Sequence, residues 1–160
     1  MTRKNVAVIG CGIGRSHIIE VYVPHPGKFK VAAICDLNED RLNAVADEFD
    51  IPVRTTSFEE CLQNDDIDII DICTPPGIHR EQVVAALACG KHVICEKPLT
   101  GSLADVDAII AAEKTATGTL MPIFQYRYGD GIEKAKRIID AGIAGKAYMG
   151  SVETFWLRTA

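Results

Sequence analysis

Asn5-Val6-Ala7-Val8-Ile9-Gly10-Cys11-Gly12-Ile13-Gly14 is an apolar run of strand length that empties into three glycines at alternate positions. Where a strand passes directly into a helix, missing side chains let the backbone turn tightly and approach a pyrophosphate at the helix N-terminus. A plain strand-to-helix turn can carry the same glycines, so the loop alone leaves both readings open. The pattern is one residue shorter than G-x-G-x-x-G, and Arg15 stands where the third glycine would fall.

Working outward, short apolar runs alternate with longer stretches of helical period, the pattern of βαβ units on a parallel sheet. Strands are predicted at about 5–10, 30–35, 52–55, 67–73, 91–95 and 119–125, and helices at about 14–23, 39–49, 58–63, 78–89, 103–116 and 131–141. Ser57 with Glu60 and Ser102 with Asp105 have capping-box spacing, and Asn38 suits an N-cap. Gly90, Gly118 and Gly142 suit helix ends. Six strands with intervening helices predict an α/β fold, a doubly wound parallel sheet in the order 3-2-1-4-5-6. Asp68 and Asp71 fall three apart in one predicted strand, face opposite sides and cannot act as a carboxylate pair. Ile132, Ala135, Ile138 and Ile139 form a helical stripe read as core.

Composition narrows the function by exclusion. At 160 residues the chain has the length of one ordinary domain. A hydrophobic fraction of 48%, a charged fraction of 24% and a net charge of −5 lack the basic excess of a nucleic-acid binder. No stretch approaches the roughly 18 apolar residues of a membrane span, and the apolar run after Met1-Thr2-Arg3-Lys4 is too short for a signal peptide. Six cysteines (Cys11, Cys35, Cys61, Cys73, Cys89, Cys95) show no C-x-x-C pair. They read as small buried residues of a cytoplasmic protein, with no metal site expected.

Two further features carry chemistry. Asp36 ends the second predicted strand 26 residues past Gly10, where an acid can accept hydrogen bonds from an adenosine ribose and repel a 2′-phosphate. Its other reading is an acidic turn residue ahead of Asn38. His92-Val93-Ile94-Cys95 runs into Glu96-Lys97-Pro98, which sets an amine at the carboxyl end of a parallel strand. A lysine desolvated there can exchange a proton with a substrate hydroxyl; otherwise it is a solvated lysine before a turn proline. A methyltransferase binding S-adenosylmethionine also uses a glycine loop and an acid after strand two. That fold usually carries an acid two residues before its first glycine, and here the residue is Val8.

In order and spacing, Gly10-Cys11-Gly12 with His17, Asp36, Cys73-Thr74-Pro75-Pro76 with His79, Gly90-Lys91-His92-Val93, Glu96-Lys97-Pro98 and Gln125-Tyr126-Arg127-Tyr128 resemble the Gfo/Idh/MocA family of nicotinamide-dependent oxidoreductases. The resemblance implies that amides near Gly12, Ile13 and Gly14 hold the pyrophosphate, with Gly10 shaping the turn and Asp36 holding the ribose. It implies that Thr74, Pro75 and Pro76 pack along the cofactor, and that Glu96 and Lys97 sit beside the nicotinamide. Lys97 is then the catalytic residue, and its bond to Pro98 is expected to be cis. Arg127 is expected at the cofactor or substrate edge. His79, near a helix start where the dipole disfavours imidazolium, is expected to be neutral and either a cofactor-side or a structural residue. His17 and Arg15 are read as structural and solvated, respectively.

NAD is the expected cofactor, in preference to NADP, and the expected substrate is a sugar- or cyclitol-like hydroxyl. A non-catalytic NAD(P)-binding regulator is the alternative within the same family. Residues 1–145 are expected to form the dinucleotide-binding domain. Residues 146–160, rich in Tyr, Val, Thr, Phe and Trp, are expected to begin a second substrate and oligomerisation domain, with Tyr148 to Leu157 as its first strand. On that reading this chain alone binds NAD without turnover, and the complete protein is a homo-oligomer.

Overall fold

The computed structural model describes residues 2–151 and 153. Six strands, β1 (Lys4–Ile9), β2 (Phe29–Cys35), β3 (Val53–Thr55), β4 (Ile69–Ile72), β5 (His92–Cys95) and β6 (Leu120–Pro122), form one sheet in the order β3-β2-β1-β4-β5-β6. Every neighbouring pair is parallel. This is the doubly wound order, and the crossovers place helices on both faces. The central strands are apolar without alternation because each face is covered: all four residues of β4, Asp71 included, are buried.

The helices are α1 (Cys11–His17), α2 (Glu39–Glu48), α3 (Phe58–Gln63), α4 (His79–Ala88), α5 (Leu103–Thr115) and α6 (Asp130–Asp140). Ala7, Ile9, Ile70, Ile72, Val93 and Cys95 pack on one face with Cys61 of α3, Val83 and Leu87 of α4 and Ile109 of α5. Val6, Val8, Ile34 and Ile69 pack on the other with Cys11 of α1, Leu42 and Val45 of α2, and Tyr22.

Local signals set several boundaries. Asn38 caps α2 by accepting the Arg41 N–H at 2.9 Å. Ser57 and Ser102 cap α3 and α5, accepting the N–H groups of Glu60 and Asp105 at 3.3 and 3.1 Å. Neither pair is a reciprocal box: the Ser57 N–H goes to Thr55, and the Asp105 carboxylate accepts the Ser102 hydroxyl. Gly90 and Gly142 end α4 and α6 with φ of +72° and +71°. Gly118 has another task, because a Cβ there would collide with the Lys91 carbonyl. Its bareness lets the chain entering β6 pass close to the start of β5.

The first helix begins at Cys11, three residues before its predicted start, because Gly10 at φ +94° makes the whole turn. It runs into a π-helical turn, Ile18–Tyr22, in which the Val23 N–H reaches back to the Ile18 carbonyl. β6 stops at Pro122, short of the predicted 125, since a 3₁₀ turn, Gln125–Tyr128, follows. Among the described residues no helix is long and apolar enough to cross a membrane.

The chain falls into two compact units, Met1–Ile123 and Phe124–Ala160. The first holds the sheet and α1 to α5. In the second, α6 lies against the Gln125–Tyr128 turn, and the stripe expected to be core is half-exposed, with Ile132 at 52% and Ile139 at 51%. That unit is small, and the turn alone does not cover the stripe. Lys146–Ser151 form no strand. Val152 and residues 154–157 of the strand expected to reach Leu157, Phe155 and Trp156 among them, lie outside the described residues.

Candidate functional site

Strand register assembles the site. Ile9 pairs with Cys35 and Ile72, and Ile72 pairs with Cys95, so the last residues of β1, β2, β4 and β5 stand abreast. One residue further on, the ladder continues: Gly10 N–H donates to Cys35 O, Cys73 N–H to Ile9 O and Glu96 N–H to Ile72 O, at 2.8–2.9 Å. Gly10, Asp36, Cys73 and Glu96 therefore form a row along the carboxyl edge, where open α/β sheets take their ligands.

A cavity of about 490 Å³ opens on that edge, lined among others by Gly10, Gly12, Ile13, Asp36, Thr74 and Pro75. Its size is that of small-molecule and cofactor sites. A Cβ on Gly10 would lie 2.8 Å from the Cys73 carbonyl oxygen, so only glycine brings β1 this close to β4 at the turn. A Cβ on Gly14 would collide with Val8, so Gly14 supplies the close helix–strand packing expected of the third glycine, one position early. The first helical hydrogen bond runs from Gly14 N–H to Gly10 O. Gly12 and Ile13 thus carry first-turn amides, the groups a helix leaves without intrahelical partners.

Asp36 is almost wholly buried and fully engaged. Its Oδ2 accepts the Cys11 N–H at 2.8 Å and Arg41 Nε at 2.9 Å, and its Oδ1 accepts the Asn38 N–H at 2.8 Å and Arg41 Nη2 at 3.0 Å. Burial pushes this carboxyl up, but the bonds from Arg41, Asn38 and Cys11 more than offset it and hold it below the usual carboxylate range. Arg41, in the first turn of α2 and also lining the cavity, escaped the sequence reading. Its position five residues after the acid was the available signal. Arg15 is paired bidentately with Glu48 of α2 on the surface.

At the other end of the row, Thr74 donates its hydroxyl to Gln82 Oε1 at 2.6 Å. Pro75 and Pro76 are exposed, and Pro76 opens a 3₁₀ turn into α4. His79 is fully buried, with Nε2 2.7 Å from Thr74 O and Nδ1 3.0 Å from Pro98 O. It ties the end of β4 to the segment after β5. Both oxygens are acceptors, so a proton on either ring nitrogen has a partner. The Lys97–Pro98 bond is cis. Lys97 is exposed, and its backbone N–H donates to Glu96 Oε2 at 2.8 Å. Pro76, His79, Glu96 and Lys97 flank the edge without lining the cavity. Arg127 belongs to the second unit, on the Gln125–Tyr128 turn, where its N–H donates to Phe124 O at 2.9 Å.

Beneath Glu96 lies a group the sequence did not reveal. Asp68 precedes β4 and pairs with Lys4 at 2.7 Å, but Asp71 is fully buried within β4 and bonds His17 and Tyr22. Burial depresses the His17 imidazole, but Asp71 and then Glu96 more than offset this and raise it from 6.5 to about 9. The stability this contributes is fully present below pH 6.5 and is lost as pH rises through about 9. The thermal midpoint of the chain is expected to fall from pH 7 to pH 10, and His17→Gln to flatten that fall in a calorimetric pH series. His17, Asp71 and Cys73 offer ligand atoms within 4.8 Å of one another. Those atoms already bond each other, and burial with the nearby Asp71 charge holds the thiol far above the usual range.

Comparison with known proteins places this geometry. The family model for Gfo/Idh/MocA oxidoreductases with an NAD-binding Rossmann fold matches residues 4–124. The D-xylose 1-dehydrogenase (NADP(+)) 2 of Haloferax volcanii is 38% identical over 128 residues, 80% of this chain and 39% of that enzyme. The myo-inositol 2-dehydrogenase of Thermotoga maritima is 32% identical over 117 residues, 73% of this chain and 35% of its own. The crystal structure of the WlbA dehydrogenase from Chromobacterium violaceum with NADH and UDP-GlcNAcA superposes with a TM-score of 0.85 at 25% identity, covering 91% of this chain and 42% of that one. The chain therefore spans less than half the length of these relatives.

Proposed function

Since this chain belongs to the Gfo/Idh/MocA oxidoreductase family, with its NAD-binding Rossmann fold, we propose that it binds NAD for a dehydrogenase acting on a sugar- or cyclitol-like hydroxyl. The observation that carries the reading is the row of Gly10, Asp36, Cys73 and Glu96 set abreast by strand register, with the cavity against the first three. The residues suit a dinucleotide: a turn that excludes a side chain at Gly10, first-turn amides beyond it, and an acid at the end of β2.

In this reading Gly12, Ile13 and Gly14 receive the pyrophosphate, Asp36 takes the adenosine ribose in place of its bonds from Arg41, and Thr74, Pro75 and Pro76 wall the cofactor, with His79 holding Thr74 in place. Glu96 and Lys97 stand at the nicotinamide end. NAD, when bound, supplies the hydride acceptor. Lys97 Nζ takes the hydroxyl proton as the carbinol carbon is oxidised, and returns it in the reverse direction. The substrate class follows the xylose and inositol dehydrogenases among the relatives. A reducing, cytoplasmic setting is supported by six free thiols, five of them buried, and a homo-oligomer belongs to the same reading.

Cofactor choice tests the Asp36 assignment. Calorimetry on this chain is expected to show tighter binding of NAD than of NADP, because the carboxylate repels a 2′-phosphate. Asp36→Ser should narrow the gap. Arg41→Ala, which removes the cation now paired with Asp36, should widen it. NADP binding as tight as NAD by the unaltered chain would sink the role.

A further inference from the structure

The proposed reaction leaves unused a line of polar groups beneath Glu96-Lys97-Pro98. It starts in the core, where the Tyr22 hydroxyl donates to Asp71 Oδ2 at 2.7 Å. The same oxygen lies 2.9 Å from His17 Nδ1, and His17 Nε2 lies 3.1 Å from Glu96 Oε1. Glu96 Oε2 then accepts the Lys97 N–H at 2.8 Å. The line therefore begins on a fully buried carboxylate and ends on the backbone that carries the reactive lysine.

Two features give it a function beyond packing. His17 has a carboxylate on each ring nitrogen, and both are filled as hydrogen bonds only when each nitrogen carries a proton. Two carboxylates that share a poorly hydrated site also need a cation between them, or one takes up a proton. The groups facing His17 are Asp71 on β4, Cys73 just beyond it, and Glu96 beyond β5, with Tyr22 bonded to Asp71 from the π-helical turn. Cys73 directs its thiol to the other Asp71 oxygen at 3.6 Å, which leaves the imidazolium as the cation within the line.

We propose that His17 is a positioning residue for the reaction: as an imidazolium tied between Asp71 and Glu96, it fixes the Glu96 carboxylate and, through the Lys97 N–H, the backbone from which the Lys97 side chain departs. The inference rests on Lys97 being the proton-transfer group. It adds that the geometry of that group is set by a part-buried charge on α1, held between Asp71 of β4 and Glu96.

The test has two arms. In this chain, ring ¹⁵N shifts of His17 followed against pH should show both nitrogens protonated at pH 7 and a titration near 9, moved downward in Glu96→Gln. In the complete open reading frame, His17→Gln should lower kcat by about 10- to 100-fold, the scale of a displaced reactive group. It should leave NAD affinity within about twofold and abolish the decline of kcat through pH 9. A ring with one proton at pH 7, a quantity that needs no variant, would overturn the proposal, as would an unchanged kcat–pH profile in His17→Gln. Should Lys97→Met leave turnover intact, the functional reading fails while the His17 titration still reports the line itself.

Discussion

Lys97→Met in the complete open reading frame is expected to lower kcat by a factor on the order of 10² to 10⁴, the range of general acid–base groups, with NAD affinity little changed. The exposure of Lys97 and its place after β5 are what make this separation of effects the expected one. Its backbone is tied down by Glu96, and the segment it begins is tied by His79 through Pro98, so the amine is the free end of a fixed support. Methionine keeps the length and the apolar stem and removes the proton. Steady-state kinetics with a polyol or sugar substrate would measure the loss, and near-normal turnover would reduce Lys97 to an electrostatic neighbour of the cofactor.

Asp71→Ala is expected to destabilise this chain by about 3–5 kcal/mol, the usual consequence of removing one partner from a buried charged pair. The carboxylate has no exposure, and its loss strands the Tyr22 hydroxyl and one side of the His17 imidazolium in the core. Urea unfolding monitored by circular dichroism would measure it. A loss under about 1 kcal/mol, the range of exposed pairs, would mean that water reaches the site and that the line beneath Glu96 is not a buried ionic network.

The strand order, most helix spans and the residues on the carboxyl edge were legible because each has a local signature: apolar runs, caps and glycines. Asn38 and Gly90 behave as their local roles require. Gly118 shows the limit of that logic, since its bareness answers a close approach to Lys91 that no local pattern encodes. The α6 stripe has the period of a core face, yet periodicity does not say what covers it. The charges were the least legible part. Parity placed Asp68 and Asp71 in one strand, but β4 begins at Ile69 and holds only Asp71; an acid within Ile69-Ile70-Asp71-Ile72 needs partners, and those came from 49 and 54 positions away. Arg41 was nearer and equally silent, because an arginine in the first turn of a helix is ordinarily solvated.

The central claim is that the carboxyl edge of this sheet receives NAD with its reactive end toward Lys97. Two-dimensional amide NMR of the chain titrated with NAD tests it most directly. Shifts are expected at Gly12, Ile13, Asp36, Thr74 and Glu96, residues from four separate strand ends that share only this edge. Saturating NAD that leaves those amides unmoved, or that shifts instead the groove between α4 and α5 near Leu87 and Ala116, would contradict it.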